Sequence, residues 1–118
     1  MIGIQLVDAH KKFLENLKNN HRASATILAY GKDINQIIDF LTERAKRQAD
    51  EVQKEDLEAF LNKLSREGYT PKSVSRKINS LKTFFKFLKD QGFVDLNPST
   101  LITHPKFESK LPKILSKM

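Results

Sequence analysis

The sequence predicts an all-α fold, a compact four-helix domain followed by a proline-punctuated C-terminal linker. Three observations carry this. Apolar residues recur at steps of three and four over separate stretches, and no stretch alternates with period two between hairpin turns. Helix-start residues precede, and glycines follow, the later stretches. A chain of 118 residues, 39% hydrophobic and 30% charged, is long enough for one core-bearing domain and too short for two ordinary ones.

The first helix is predicted from about Gln5 to Lys18, where Leu6, Phe13, Leu14 and Leu17 share a face, with Ile4 and Val7 ahead of them. His10 lies on the same stripe and reads as a boundary or core histidine rather than a ligand. Asn19, Asn20 and His21 make a turn, and Ser24 is the expected N-cap of a long second helix reaching about Arg47. Its stripe is Ile27, Tyr30, Ile34, Ile37, Ile38 and Leu41. Gly31 interrupts it at a cost of about 1 kcal/mol relative to alanine; close helix approach and simple tolerance explain it equally well.

The third helix starts from Gln53 as cap, with Val52 placed to staple onto Leu57 and Asp56 near the positive helix end. Phe60, Leu61 and Leu64 complete its stripe, and Gly68 suits the left-handed residue after the last turn. The fourth helix has the fullest set of signals. Thr70 caps, Pro71 takes the first helical position, and Tyr69 is placed to staple onto Val74. Val74, Ile78, Leu81, Phe85 and Leu88 form its core stripe, Gly92 ends it, and Phe93 folds back on Leu88. Beyond Phe93, Pro98, Pro105 and Pro112 forbid a long helix, and Asn97-Pro98 allows a single turn. The expected division is therefore a helical domain over residues 1–95 and a linker over 96–118.

Composition narrows the function classes. No run approaches the roughly 18 consecutive apolar residues of a membrane span, and no basic-then-apolar N-terminus suggests secretion. Cysteine is absent, and His10, His21 and His104 are scattered, so neither disulfides nor a metal site are expected. The glycines form no phosphate loop, no serine lies in a GxSxG context, and Glu55 with Asp56 reads as a solvated helix start. No cofactor, no catalytic set and no membrane partner are expected, and a cytoplasmic location follows.

The formal charge of +7 points to polyanions, and its distribution is informative. Asp50 to Glu67 holds six acids and three bases, whereas Gly68 to Gly92 holds six bases and one acid. On the fourth helix Lys72, Ser73, Arg76, Lys77 and Ser80 recur away from the core stripe, which is expected to force Lys72, Arg76 and Lys77 outward. Arginine and lysine neutralise phosphates and read guanine edges, and hydroxyls suit phosphates or bases. The start of the second helix adds Arg22, Ser24, Thr26 and Lys32. Two such helix starts side by side, each with its dipole toward phosphate, suit double-stranded DNA.

These residues also carry a family pattern. Ser24, Thr26, Tyr30, Asp33 and Phe40 come first, then Asp56-Leu57, Phe60-Leu61, Leu64 and Gly68. Ser73-Val74, Arg76, Ile78, Leu81, Phe84-Phe85 and Phe87-Leu88 follow, and Asn97-Pro98, Pro105 and Leu111-Pro112 close the series. In order and spacing the chain resembles the N-terminal core-binding, SAM-like domain of tyrosine recombinases, the group of phage integrases and Xer resolvases. The resemblance implies one arm of a C-shaped clamp, its second and fourth helices meeting the major groove. It implies as partners a C-terminal catalytic domain, which supplies the tyrosine nucleophile, and recombinase protomers on the DNA. Tyr30, on a core stripe, and Tyr69, in a turn, are not expected to be that nucleophile, so the chain itself is expected to be non-catalytic.

Two other readings remain at this point. A stand-alone helical DNA-binding regulator would share the basic face without needing the proline-rich exit. A protein-interaction module would instead expose aromatics such as Phe84, Phe87 and Phe107.

Overall fold

Capping chemistry sets the helix boundaries of this chain. The computed structural model describes residues 4–103. Within them lie α1 (Leu6–Asn19), α2 (Ser24–Glu43), α3 (Lys54–Arg66) and α4 (Pro71–Asp90), with a 3-10 turn at Ala49–Glu51 between α2 and α3. The described residues contain no strand, only a lone antiparallel bridge between Gln5 and Gln48. Leu6 N donates to Arg47 O at 2.8 Å and Ala49 N to Ile4 O at 2.8 Å, so the chain after α2 is tied to the start of α1.

Gln53 flanks the start of α3 as expected, and Asp56 bonds back to its backbone. Gln53 N donates to Asp56 Oδ2 at 2.9 Å, and Val52 and Leu57 on either side of the cap are both buried. Asp56 also accepts from Arg44 Nε at 2.9 Å, with Lys46 Nζ at 3.5 Å. Burial pushes its carboxyl up, but the Gln53 N–H, Arg44 and Lys46 outweigh that and hold it below its ordinary value. At α4, Thr70 Oγ1 accepts from Ser73 N at 3.1 Å and Pro71 occupies the first turn. The start of α2 differs from expectation. Ala23, with extended backbone at φ −61° and ψ 145°, is the flanking residue, and Ile27 N donates to its carbonyl. Ser24 is thus the first helical residue, and no side chain caps α2.

All four helices end in the same paired backbone bonds. After α3, Gly68 N donates to Ser65 O and Tyr69 N to Leu64 O; after α4, Gly92 N donates to Lys89 O and Phe93 N to Leu88 O. Gly68 and Gly92 take φ of 89° and 81°. After α1 the left-handed position falls to His21 (φ 59°), and after α2 to Ala45 (φ 66°). The second helix therefore stops at Glu43 rather than near Arg47, because Lys46 N bonds back to Leu41 O.

The core runs between all four helices. Phe13 of α1 stands at its centre, with ring centroids 5.7 Å from Tyr30, 5.4 Å from Phe84 and 5.6 Å from Phe87. Phe84 packs on Phe85 in turn, and Phe40 of α2 meets Phe60 of α3. Phe84 is fully buried and Phe87 packs against the core, so neither is the exposed aromatic that a protein-docking surface would need; Phe107 lies outside the described residues. After α4 the chain turns once, Asn97 Oδ1 accepting from Ser99 N and Oγ, and Val94, Ser99 and Ile102 are buried. Pro105 and Pro112 lie outside the described residues.

Candidate nucleic-acid interface

α2 and α4 pack together, and their N-terminal halves share one face of the domain. Their first turns carry no acid, whereas α1 has Asp8 and α3 has Glu55 and Asp56 there. Neither helix start is therefore neutralised by a carboxylate of its own first turn. Arg22, Ser24 and Lys32 are exposed along the start of α2, and Thr26 is half-buried. On α4, Lys72 and Arg76 are exposed one turn apart, and Ser73 is half-buried with its hydroxyl 3.1 Å from that of Thr70.

Lys77 and Ser80 do not face outward. Lys77 is 6% exposed and Ser80 is buried, because α4 turns two adjacent faces inward. Val74, Ile78, Leu81, Phe85 and Leu88 are the expected stripe; Lys77, Ser80 and Phe84, at steps of three and four, are a second. What receives the polar part of this second stripe is Asp33 of α2, a carboxylate only 1% exposed. Its Oδ1 accepts from Arg76 and from Lys77 Nζ, both at 3.0 Å, and its Oδ2 accepts from Ser80 Oγ at 2.8 Å. A buried carboxylate is tolerated only when its oxygens are paired and hydrogen-bonded, which is what these three side chains accomplish.

Above Asp33 lies a shallow cleft of about 250 Å³ between α2 and α4, lined by Thr26, Ala29, Tyr30, Arg76 and Asn79 with Ser80. The Arg76 side chain is 59% exposed; one nitrogen is held by Asp33, leaving the other donors of its fork at the rim. Asn79 is exposed beside it. A guanidinium, an amide and a hydroxyl around a cleft are groups that suit phosphate or base edges. Asp33, named in the sequence only within the family pattern, and Asn79 are the cleft residues that sequence reasoning did not place at the interface. The available signal for Asp33 is its phase, one residue before Ile34 on an inward face.

Elsewhere the chemistry is sparse. A larger open groove of about 790 Å³ lies between the start of α3 and the segment after α4, with Leu96 and Leu101 exposed at it. The described residues include no group of His, Cys, Asp or Glu able to hold a metal, and no helix long and apolar enough to cross a membrane. Tyr30 stands edge-on to Phe13, and the Tyr69 hydroxyl accepts from Gln36 Nε2 at 3.2 Å.

Comparison with known proteins converges on one family. The sequence model described as phage integrase, N-terminal SAM-like domain, matches residues 11–92. The tyrosine recombinase XerC of Chlorobaculum tepidum is 34% identical over 112 residues, which cover 89% of this chain and 33% of that protein. The XerC of a Roseiflexus species is 33% identical over 110 residues, covering 92% and 35%. This chain therefore spans about a third of the length of the curated relatives it matches. Among solved structures, the N-terminal domain of a phage integrase/site-specific recombinase from Haloarcula marismortui superposes with a TM-score of 0.82 at 15% identity, over 89% of this chain and 100% of that one. The lambda integrase dimer bound to a COC′ core site gives 0.79 at 17% identity, over 91% and 29%. At such identities the structural likeness speaks to the fold, which is the SAM-like helical fold of integrase N-terminal domains.

Proposed function

The chain belongs to the family of phage integrase N-terminal, SAM-like domains, and from that premise we propose that it is the DNA-binding arm of a tyrosine site-specific recombinase. Double-stranded DNA meets the starts of α2 and α4. Arg22, Ser24, Thr26 and Lys32 contribute from the start of α2, and Lys72, Ser73 and Arg76 from α4, while Lys77 and Ser80 are turned inward onto Asp33 and stand outside this contact set. The observation that carries this reading is that the N-terminal halves of α2 and α4 pack on each other and bear exposed Arg22, Lys32, Lys72 and Arg76. Exposed cations along such a face neutralise phosphates, while the amide and hydroxyl of the cleft suit base edges. Lambda integrase, alike in fold, has been solved as a dimer bound to a core site, which supports the same role here. Catalysis falls to a second domain of a longer protein, with recombinase protomers as further partners on the DNA. No cofactor is required of this domain, and the cytoplasm is where it acts.

Fluorescence anisotropy with a labelled DNA duplex at several salt concentrations tests this. Binding should weaken steeply with salt. The double variant Lys72→Ala/Arg76→Ala should flatten the log K versus log salt slope by about 0.9 for each phosphate no longer neutralised. A control that neutralises Lys11, Lys12 and Lys18 of α1 should change it less. Equal losses in the two variants would mean that net charge, not this face, accounts for binding.

A further inference from the structure

We propose that Asp33 is a positioning residue of this surface: it holds Lys77 inside the α2–α4 contact and anchors Arg76 at the rim of the cleft, so that only one of these two adjacent cations presents its charge to DNA. The proposal rests on the DNA-binding reading above and adds to it which charges are counted. Arg76 and Lys77 are neighbours in sequence and share one carboxylate oxygen at 3.0 Å, yet the Arg76 side chain is 59% exposed and that of Lys77 only 8%. Lys77 also lies over the Tyr69 ring, its Nζ 5.4 Å from the centroid, so an aromatic face and a carboxylate together enclose it. Both features stabilise the ammonium in its buried position and oppose its withdrawal to a phosphate outside.

Arg76 is placed differently. Asp33 takes one nitrogen, and the planar fork leaves further donors beside Thr26 and Asn79. Holding one nitrogen fixes the plane of the others, which lowers the ordering cost when a phosphate or base edge arrives. Ser80, on the other oxygen of Asp33 at 2.8 Å, sets the carboxylate's own orientation.

The test uses the 118-residue chain, a labelled random-sequence duplex and an amine-acetylating reagent read by mass spectrometry. In the free chain Lys77 should acetylate far more slowly than exposed Lys72. Asp33→Asn should bring the Lys77 rate up toward that of Lys72 and steepen the salt slope by about 0.9, as one further phosphate is neutralised. The double variant Asp33→Asn/Lys77→Met should return the slope to its original value. Lys77→Met alone should leave the slope unchanged, whereas Arg76→Ala should lower it by about 0.9. A merely structural role for Asp33 would change the melting temperature and not the slope. If Lys77→Met flattens the slope as much as Arg76→Ala, the proposal is overturned while the DNA-binding reading stands. If no variant alters a salt-independent binding curve, the DNA-binding reading fails. Lys77 reacting as fast as Lys72 in the unsubstituted chain would overturn the proposal without reference to DNA, even if Asp33→Asn does not fold.

Discussion

Phe85 shows what single-residue reasoning achieves here: its place on the stripe of α4 marks it as core, and it is fully buried against Phe84. Phe85→Ala should lose about 3–5 kcal/mol, as buried phenylalanines do. Thermal denaturation reads this as a large drop in midpoint, and an unchanged midpoint would contradict the packing. Asp33 shows the limit. It lies in phase with Tyr30, Ile34 and Ile37, which hints at burial, but its partners stand 43, 44 and 47 positions along the chain. No periodicity within one helix identifies such a pairing, so Lys77 and Ser80 read as surface until α2 and α4 are brought together. His10 is legible as a boundary histidine, and its chemistry gives a pH dependence. Burial holds its imidazole below the ordinary 6.5, against an opposing hydrogen bond with Gly31, and its Nε2 is buried without a partner. The unfolded chain therefore takes up its proton first, and this contribution to stability, present above pH 6.5, declines as the pH falls through the native value. Melting curves on acidification should show this decline, and His10→Gln should diminish it. An equal decline in both proteins would assign it to other groups.

At the scale of the element, helix starts and stops are legible wherever the cap has its own residue type. Gln53, Thr70, Pro71, Gly68 and Gly92 all stand where the sequence places them. The end of α2 is not, because Ala45 adopts φ 66° without being a glycine or asparagine and so gives no signal. The 3-10 turn after it and the Gln5–Gln48 bridge are held by bonds to a distant segment, which local pattern does not encode. A left-handed alanine costs about 1–2 kcal/mol, partly offset in the unfolded state when glycine replaces it. Ala45→Gly should therefore raise the melting temperature modestly; a fall would show that Ala45 contributes packing beyond its backbone. Gly31 is the converse case. A Cβ there would meet nothing nearer than Leu14 at 3.8 Å, an ordinary van der Waals distance, which favours tolerance over close approach as the reason for the glycine. Gly31→Ala should stabilise α2 by up to about 1 kcal/mol, measured by denaturant midpoint, and destabilisation would contradict the observed spacing.

For the molecule as a whole, the all-α class and its four helices are legible, since four amphipathic stretches in this order leave few ways to bury their stripes. The proposed DNA face rests on charge and spacing read from the sequence, while the division between exposed and buried cations on it requires the fold. The chain should neither nick nor relax supercoiled plasmid, because the Tyr30 ring packs edge-on against Phe13 of the core and the Tyr69 hydroxyl is engaged by Gln36. Nicking that co-purifies with the chain and disappears in Tyr30→Phe or Tyr69→Phe would contradict this. The central claim, that the starts of α2 and α4 form the DNA-facing surface, is tested most directly by titrating the isotope-labelled chain with duplex DNA and following backbone amide shifts. The account predicts the largest changes at residues 22–32 and 71–80, with α1 and the outer face of α3 little affected. Changes concentrated on α1 or α3, or spread evenly over every exposed lysine, would contradict it.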